Sequence, residues 1–118
     1  MSDTVTIWHN PRCSKSREAL KLLENEGIAP EIVRYLDEAP GEAQLRELLK
    51  MLGIGARELM RTKEALYKEL GLQEITDENA LIKAMAEHPK LIERPVVIKN
   101  GKAVIGRPPE KVVDLVKD

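Results

Sequence analysis

Cys13 is the residue of this chain best placed to act as a nucleophile. It is the only cysteine among the 118 residues, and Arg12, Lys15 and Arg17 flank it in the sequence. An apolar run ends just before it at Trp8, and an amphipathic helix is predicted to begin just after it. The first N–H groups of a helix have no intrahelical partner and carry partial positive charge, so they stabilise a thiolate. We therefore expect the pKa of Cys13 to lie below the value of about 8.5 for a free thiol.

The alternative is that Cys13 is a small buried apolar residue, as free cysteines commonly are. The residues around it argue against this, because arginine, serine and lysine do not make up a core segment. His9 lies upstream and can add positive charge when it is protonated. His88 ends an apolar helical face and is interpreted as structural. One cysteine and two distant histidines do not form a ligand set, so no metal site is predicted.

Composition limits the classes of protein to which the chain can belong. Its length is that of one domain, and its formal net charge of −1 predicts no general attraction to nucleic acid or to an anionic membrane. No run approaches the ~20 apolar residues of a membrane span. The segment Met1–Thr4 lacks the basic and apolar regions of a signal peptide. Since a lone cysteine also fits a reducing compartment, we expect a cytoplasmic protein.

The first part of the chain predicts a strand, a helix and a second strand. Val5–Trp8 is a β-prone run, and the apolar stripe after Cys13 predicts a helix that ends near Gly27. Glu31–Leu36 follows as a second strand. A strand–helix–strand unit implies that its two strands are parallel.

The middle of the chain, about residues 41–90, is predicted to be a helical insert. Leucines spaced by three and four residues indicate a helix that ends near Gly53. Ala56–Leu70 is a further helical stretch, expected to be broken. Thr76 is a candidate N-cap for a third helix, which Pro89 ends.

The last part of the chain predicts a hairpin and a final helix. Asn100-Gly101 is a strong turn signal between the strands Pro95–Lys99 and Lys102–Ile105. Pro108 and Pro109 are expected to open the last helix. The order is therefore βαβ, a helical insert, then ββα. We predict a single α/β domain with a mixed sheet and flanking helices, which is the thioredoxin-like arrangement.

Three arginines are candidates to join Cys13 in a site. Arg94 lies directly before Pro95 at the start of the third strand, Arg107 follows the fourth strand, and Arg61 lies in the insert. Each of them, taken alone, could be a solvated surface charge. The positions of Arg94 and Arg107 at strand ends favour ligand binding.

Four segments give the chain a more specific resemblance. They are His9–Arg17, Leu59–Lys63, Arg94–Pro95 and Gly106–Pro108. From Val5 to Val116 the chain resembles bacterial arsenate reductases of the glutathione- and glutaredoxin-coupled class, in particular their shorter chromosomal branch.

The resemblance implies a role for each candidate residue. Cys13 would be the nucleophile, His9 and Ser16 would tune its thiolate, and the oxyanion would be bound by Arg61, Arg94 and Arg107. In thioredoxin-like folds the loop before the third strand faces the cysteine helix, and its proline is typically cis. No tightly bound cofactor is implied. Because reduction of arsenate needs two electrons and the chain has one thiol, glutathione would be a co-substrate and glutaredoxin a partner.

Two other functions remain open at this point. Spx-type transcription adaptors share this fold and bind RNA polymerase, but they commonly carry Cys-x-x-Cys, and here the second position is Ser16. A monothiol glutathione-dependent oxidoreductase would fit the pattern Cys13-Ser14-Lys15-Ser16. Such an enzyme has less need of three guanidinium groups.

Overall fold

The computed structural model describes residues 4–117. Within them the chain forms the strands β1 (Val5–Trp8), β2 (Glu31–Val33), β3 (Val96–Lys99) and β4 (Lys102–Ile105). The helices are α1 (Ser14–Asn25), α2 (Glu42–Leu52), α3 (Ala56–Leu59), α4 (Ala65–Glu69), α5 (Glu78–Glu87) and α6 (Lys111–Lys117), with short 3₁₀ turns at Leu72–Glu74 and Pro89–Leu91. None of the helices in residues 4–117 has both the length and the apolar character needed to span a membrane.

The described residues divide into two compact units. Residues 4–38 and 94–117 form the first unit, which contains the whole sheet together with α1 and α6. Residues 39–93 form the second unit, which contains α2 to α5. The helical insert predicted at about 41–90 falls within the second unit.

The sheet of the first unit is mixed, as the sequence predicted. Its strand order is β2-β1-β3-β4, with β1 parallel to β2 and the other neighbouring pairs antiparallel. Trp8 pairs with Val96, and Val96 pairs with Ile105. The end of β1, the start of β3 and the end of β4 therefore meet at one edge of the sheet. The loops that carry Cys13, Arg94 and Arg107 all leave from this edge.

Aliphatic side chains form the core of the first unit. Alternate residues of β1 point to one face of the sheet, where they pack with the apolar stripe of α1 and with α6. The buried members of this cluster are Val5, Ile7, Ala19, Leu23, Val97, Val112 and Leu115. Burial of each larger aliphatic side chain contributes about 1.5–3 kcal/mol, so this core holds α1 firmly against the sheet.

The second unit is a small helical cluster. Leu45, Leu48 and Leu49 share one face of α2 and are buried, and α2 packs on α5. A short bridge joins Met60 to Ile92. Arg57 donates hydrogen bonds to the hydroxyl of Tyr67 and to the carbonyl oxygens of residues 72 and 75. This guanidinium thus ties α3 to α4 and to the chain that follows α4.

Several element boundaries differ from the sequence predictions. β2 ends at Val33 instead of residue 36, because the chain turns after Arg34. The N-cap of α5 is Asp77 and not Thr76, since the Asp77 carboxylate accepts the N–H of Asn79. The last helix begins at Lys111, after both prolines. The break predicted between residues 56 and 70 is present, with α3 and α4 as separate helices.

Candidate active site

Cys13 occupies the N-cap position of α1. Its backbone is extended, with φ −97° and ψ 123°, while its carbonyl oxygen already accepts the N–H of Arg17 at 3.0 Å. The first turn of this helix contains no acidic residue. Cys13 is 8% exposed, so its sulfur lies mostly out of solvent at the positive end of the helix.

The groups around the sulfur favour the thiolate. Burial of Cys13 raises the pKa of its thiol, but three donors outweigh this effect and the pKa is lowered overall. They are the backbone N–H of Ser16, the guanidinium of Arg94, which adds both a hydrogen bond and its charge, and the backbone N–H of Lys15. The direction agrees with the expectation from the sequence, and two of the donors are free N–H groups of the first helical turn.

Arg94 and Arg107 lie on adjacent loops at the same edge of the sheet. Nε of Arg107 donates to the carbonyl oxygen of Arg94 at 2.8 Å, and Nη2 of Arg107 lies 3.9 Å from Sγ of Cys13. The Arg94–Pro95 peptide bond is cis, which is typical of this loop in thioredoxin-like folds, and the Arg107–Pro108 bond is also cis. The register of β3 and β4 thus brings two guanidinium groups to one thiol.

His9 and Ser16 form a buried pair beside the cysteine loop. Nδ1 of His9 lies 2.6 Å from Oγ of Ser16, and the same hydroxyl accepts the N–H of Asn10 at 3.0 Å. Burial lowers the pKa of His9, and the charges of Arg34 and Arg17 lower it further. His9 is therefore less readily protonated than a free histidine, which reduces the positive charge expected of it from the sequence.

Arg61 belongs to the second unit, whereas the other five predicted site residues belong to the first. Its Nη1 lies 3.0 Å from a carboxylate oxygen of Glu64, and its Nε lies 3.9 Å from one of Glu93. Glu64 also pairs with Lys90 at 3.6 Å. Arg61 is thus held by two carboxylates within its own unit.

Asn10 is a structural residue of the site that the sequence analysis did not single out. Its carbonyl oxygen accepts the N–H of Cys13 at 3.0 Å, and its side-chain oxygen accepts the N–H of Arg12 at 3.0 Å. With its own N–H bonded to Ser16, Asn10 fixes the loop at three points. The dipeptide Asn10-Pro11 is a turn signal that could have identified this role.

Within residues 4–117, no three His, Cys, Asp or Glu side chains are grouped so that they could hold a metal ion.

Known proteins share both the sequence pattern and the fold of this chain. Solved structures that are more than half identical to this chain superpose on nearly its whole length. The fold is thioredoxin-like, and the site is a single low-pKa cysteine at the first strand-to-helix turn, with two guanidinium groups beside it. The profile of the ArsC family matches residues 8–115. The chain belongs to the ArsC family.

Three similar proteins illustrate the likeness. A protein of Escherichia coli strain K12 named "Uncharacterized protein YfgD" is 58% identical over 98% of this chain and 99% of its own. A protein of Neisseria meningitidis named "Arsenate reductase" is 54% identical over 92% of this chain and 94% of its own. The structure of an arsenate reductase from Vibrio cholerae is 53% identical, with a TM-score of 0.93, and covers 97% of this chain and 98% of that one.

Proposed function

We propose that this protein is an arsenate reductase with Cys13 as its nucleophile. Membership of the ArsC family supports the proposal, as do the names of relatives that are more than half identical over most of the chain. The main structural support is the set of donors around the sulfur of Cys13. Sγ of Cys13 lies at the start of α1, bonded by helix N–H groups and by Arg94, with Arg107 at 3.9 Å.

The arginines suit the charge and shape of the substrate. Arsenate is a tetrahedral oxyanion, and arginine stays protonated and offers a planar fork of donors to such oxygens. Arg94 and Arg107 would neutralise charge that otherwise repels the thiolate. By the family resemblance, Arg61 would be the third oxyanion ligand, in competition with the carboxylates of Glu64 and Glu93.

The first chemical step forms a bond between sulfur and arsenic. The thiolate of Cys13 attacks the arsenic atom, one hydroxyl group of hydrogen arsenate takes up a proton, and its As–O bond breaks so that it leaves as water. Arsenic is still As(V) in this adduct. The buried pair of His9 and Ser16 would contribute by holding the Ser16 N–H in place beside the sulfur, which keeps the thiolate available.

The second step needs an external thiol, because Cys13 is the only cysteine of the chain. We propose glutathione as the co-substrate. Its sulfur bonds to the sulfur of Cys13, the S–As bond breaks, and the electron pair leaves with arsenic as arsenite. Glutaredoxin then removes glutathione from the mixed disulfide by thiol–disulfide exchange and restores the Cys13 thiol. Such donors work in a reducing compartment, which agrees with the expected cytoplasmic location.

A coupled assay tests the proposal. Oxidation of NADPH is followed with arsenate, glutathione, glutathione reductase and glutaredoxin, and turnover is expected with the wild-type protein and not with Cys13→Ser. A parallel assay with thioredoxin and thioredoxin reductase tests the choice of donor, and turnover only there would overturn the glutathione step. Absence of turnover with either donor would overturn the reductase, and specific RNA polymerase binding would then favour the adaptor.

A further inference from the structure

Gly106 lies where the two arginine loops of the site meet. It is buried at the end of β4, and its N–H donates to the carbonyl oxygen of Pro95 at 2.8 Å. Pro95 is itself buried and follows Arg94 directly. Arg107 follows Gly106 and donates to the carbonyl oxygen of Arg94. One glycine therefore connects the backbone segments that place both guanidinium groups.

No side chain fits at this position without a shift of its neighbours. A β-carbon built on Gly106 would lie 2.8 Å from Cγ of Pro95 and 3.2 Å from Cγ1 of Val112. Neither neighbour can move away easily, because a proline ring is stiff and a β-branched valine has a restricted χ1. Val112 also belongs to the buried core under the sheet. The shift would therefore fall largely on the Arg94–Pro95 segment.

That segment supports the reactive sulfur directly. The guanidinium of Arg94 hydrogen-bonds the Cys13 thiol and lowers its pKa. Relieving the 2.8 Å contact requires a shift of about half an ångström, which is comparable with the normal range of hydrogen-bond lengths, so moving Pro95 would weaken this contact. The same movement would lengthen the bond from Arg107 to the Arg94 carbonyl, now 2.8 Å.

We propose that Gly106 is a positioning residue of the site: the missing side chain sets how closely the loops of Arg94 and Arg107 approach each other and Cys13. Its effect on turnover rests on the proposed arsenate reductase activity. Its effect on the thiol does not, because that effect is measured without any substrate.

The experiment compares Gly106→Ala with a matched glycine control. The rate of Cys13 alkylation by iodoacetamide is measured across a range of pH. Gly41→Ala is the control, because a β-carbon at Gly41 meets no atom within 4 Å and the φ of this residue, −77°, suits alanine. In Gly106→Ala we expect the rate at pH 6 to fall about threefold with an unchanged plateau at high pH, since the thiolate fraction falls and accessibility does not. Gly41→Ala should follow the wild-type profile.

A second pair of variants separates positioning from general loosening of the core. Val112→Ala should lower stability and leave the alkylation profile unchanged. The double variant Gly106→Ala/Val112→Ala removes the methyl group at 3.2 Å, so the new β-carbon can move towards α6 and the profile should return towards wild type. The double variant also provides a measurement if Gly106→Ala alone does not fold.

Three outcomes would overturn the proposal. One is a wild-type profile for a folded Gly106→Ala protein. Another is the same change of profile in Val112→Ala as in Gly106→Ala. The third is a double variant further from wild type than Gly106→Ala. Absence of arsenate turnover would bear on the proposed function and not on these measurements.

Discussion

Arg107 bonds to the backbone of Arg94 while it faces the thiol of Cys13. Its Nε lies 2.8 Å from the Arg94 carbonyl oxygen, and its Nη2 lies 3.9 Å from Sγ. One planar guanidinium thus fixes the loop of another arginine and adds its own charge beside the sulfur. A lysine, with donors at a single point, could make only one of these contacts.

The two arginines should affect the thiol unequally. Arg94 lowers the pKa of Cys13 by both a hydrogen bond and its charge, so we expect Arg94→Ala to raise the thiol pKa more than Arg107→Ala does. The pH dependence of iodoacetamide alkylation measures the thiol pKa of Cys13 in both variants. An equal or larger shift in Arg107→Ala would contradict this division of roles.

Ser16→Ala separates the hydrogen bonds of the Ser16 hydroxyl from the contact that its backbone N–H makes with Cys13. Its buried hydroxyl accepts the N–H of Asn10 and bonds to Nδ1 of His9, so its loss should cost about 1–3 kcal/mol of unfolding free energy. The backbone N–H of Ser16 remains beside Cys13 but is held less firmly, so the thiol pKa should rise modestly and stay below about 8.5. Urea unfolding and alkylation profiles measure the two effects. A thiol pKa close to 8.5 would show that the hydroxyl itself is needed.

Glu64 should compete with the oxyanion for Arg61. The pair at 3.0 Å is partly exposed, so it is expected to contribute about 1 kcal/mol or less. Removing the charge in Glu64→Gln should therefore strengthen arsenate or phosphate binding about twofold to fivefold, as measured by calorimetry. Glu42→Gln is the control, because it removes the exposed carboxylate that pairs with Arg46 on α2. Unchanged or weaker binding in Glu64→Gln would argue against Arg61 as an oxyanion ligand.

Stability should depend on pH through Cys13. The thiol pKa is lower in the folded protein than in the unfolded chain, so between these two values the unfolded chain binds more protons and the unfolding free energy rises with pH. The contribution is fully present above about 8.5 and is lost as pH falls through the folded-state pKa. The unfolding free energies of wild type and Cys13→Ser, measured by urea unfolding, should differ by an amount that changes between the folded-state thiol pKa and about pH 8.5. If the unfolding free energies of the two proteins change in parallel with pH, the thiol pKa is the same in the folded protein and in the unfolded chain.

The N-cap of α5 gives a direct test of the fold of the second unit. Asp77→Ala removes the carboxylate that accepts the N–H of Asn79 and should lower the unfolding free energy by about 0.5–2 kcal/mol. Thr76→Ala, one residue earlier, should have a much smaller effect, because Thr76 is exposed and is not the cap. Thermal unfolding of the two variants shows whether Asp77 or Thr76 caps α5. A larger loss in Thr76→Ala would favour the cap assigned from the sequence.

Local patterns were sufficient for most of the elements. The apolar run of β1, the stripe of α1 and the Asn100-Gly101 turn each depend on neighbouring residues, and all three are present in the structure. Two of the wrong boundaries fall where two local choices are nearly equal. Thr76 and Asp77 are both good caps, and proline can either open a helix or precede it.

The sequence by itself determined that a single thiol would lie at a helix start among cations, because these features depend on residues close together in the chain. Only the tertiary structure decided which arginines reach it. Arg94 and Arg107 lie far from Cys13 in sequence, and the register of β1, β3 and β4 brings them together. It also decided that His9 is buried beside Ser16 and resists protonation. Burial and contacts between residues distant in sequence determine how easily a side chain is charged, and a local sequence pattern contains no information about either.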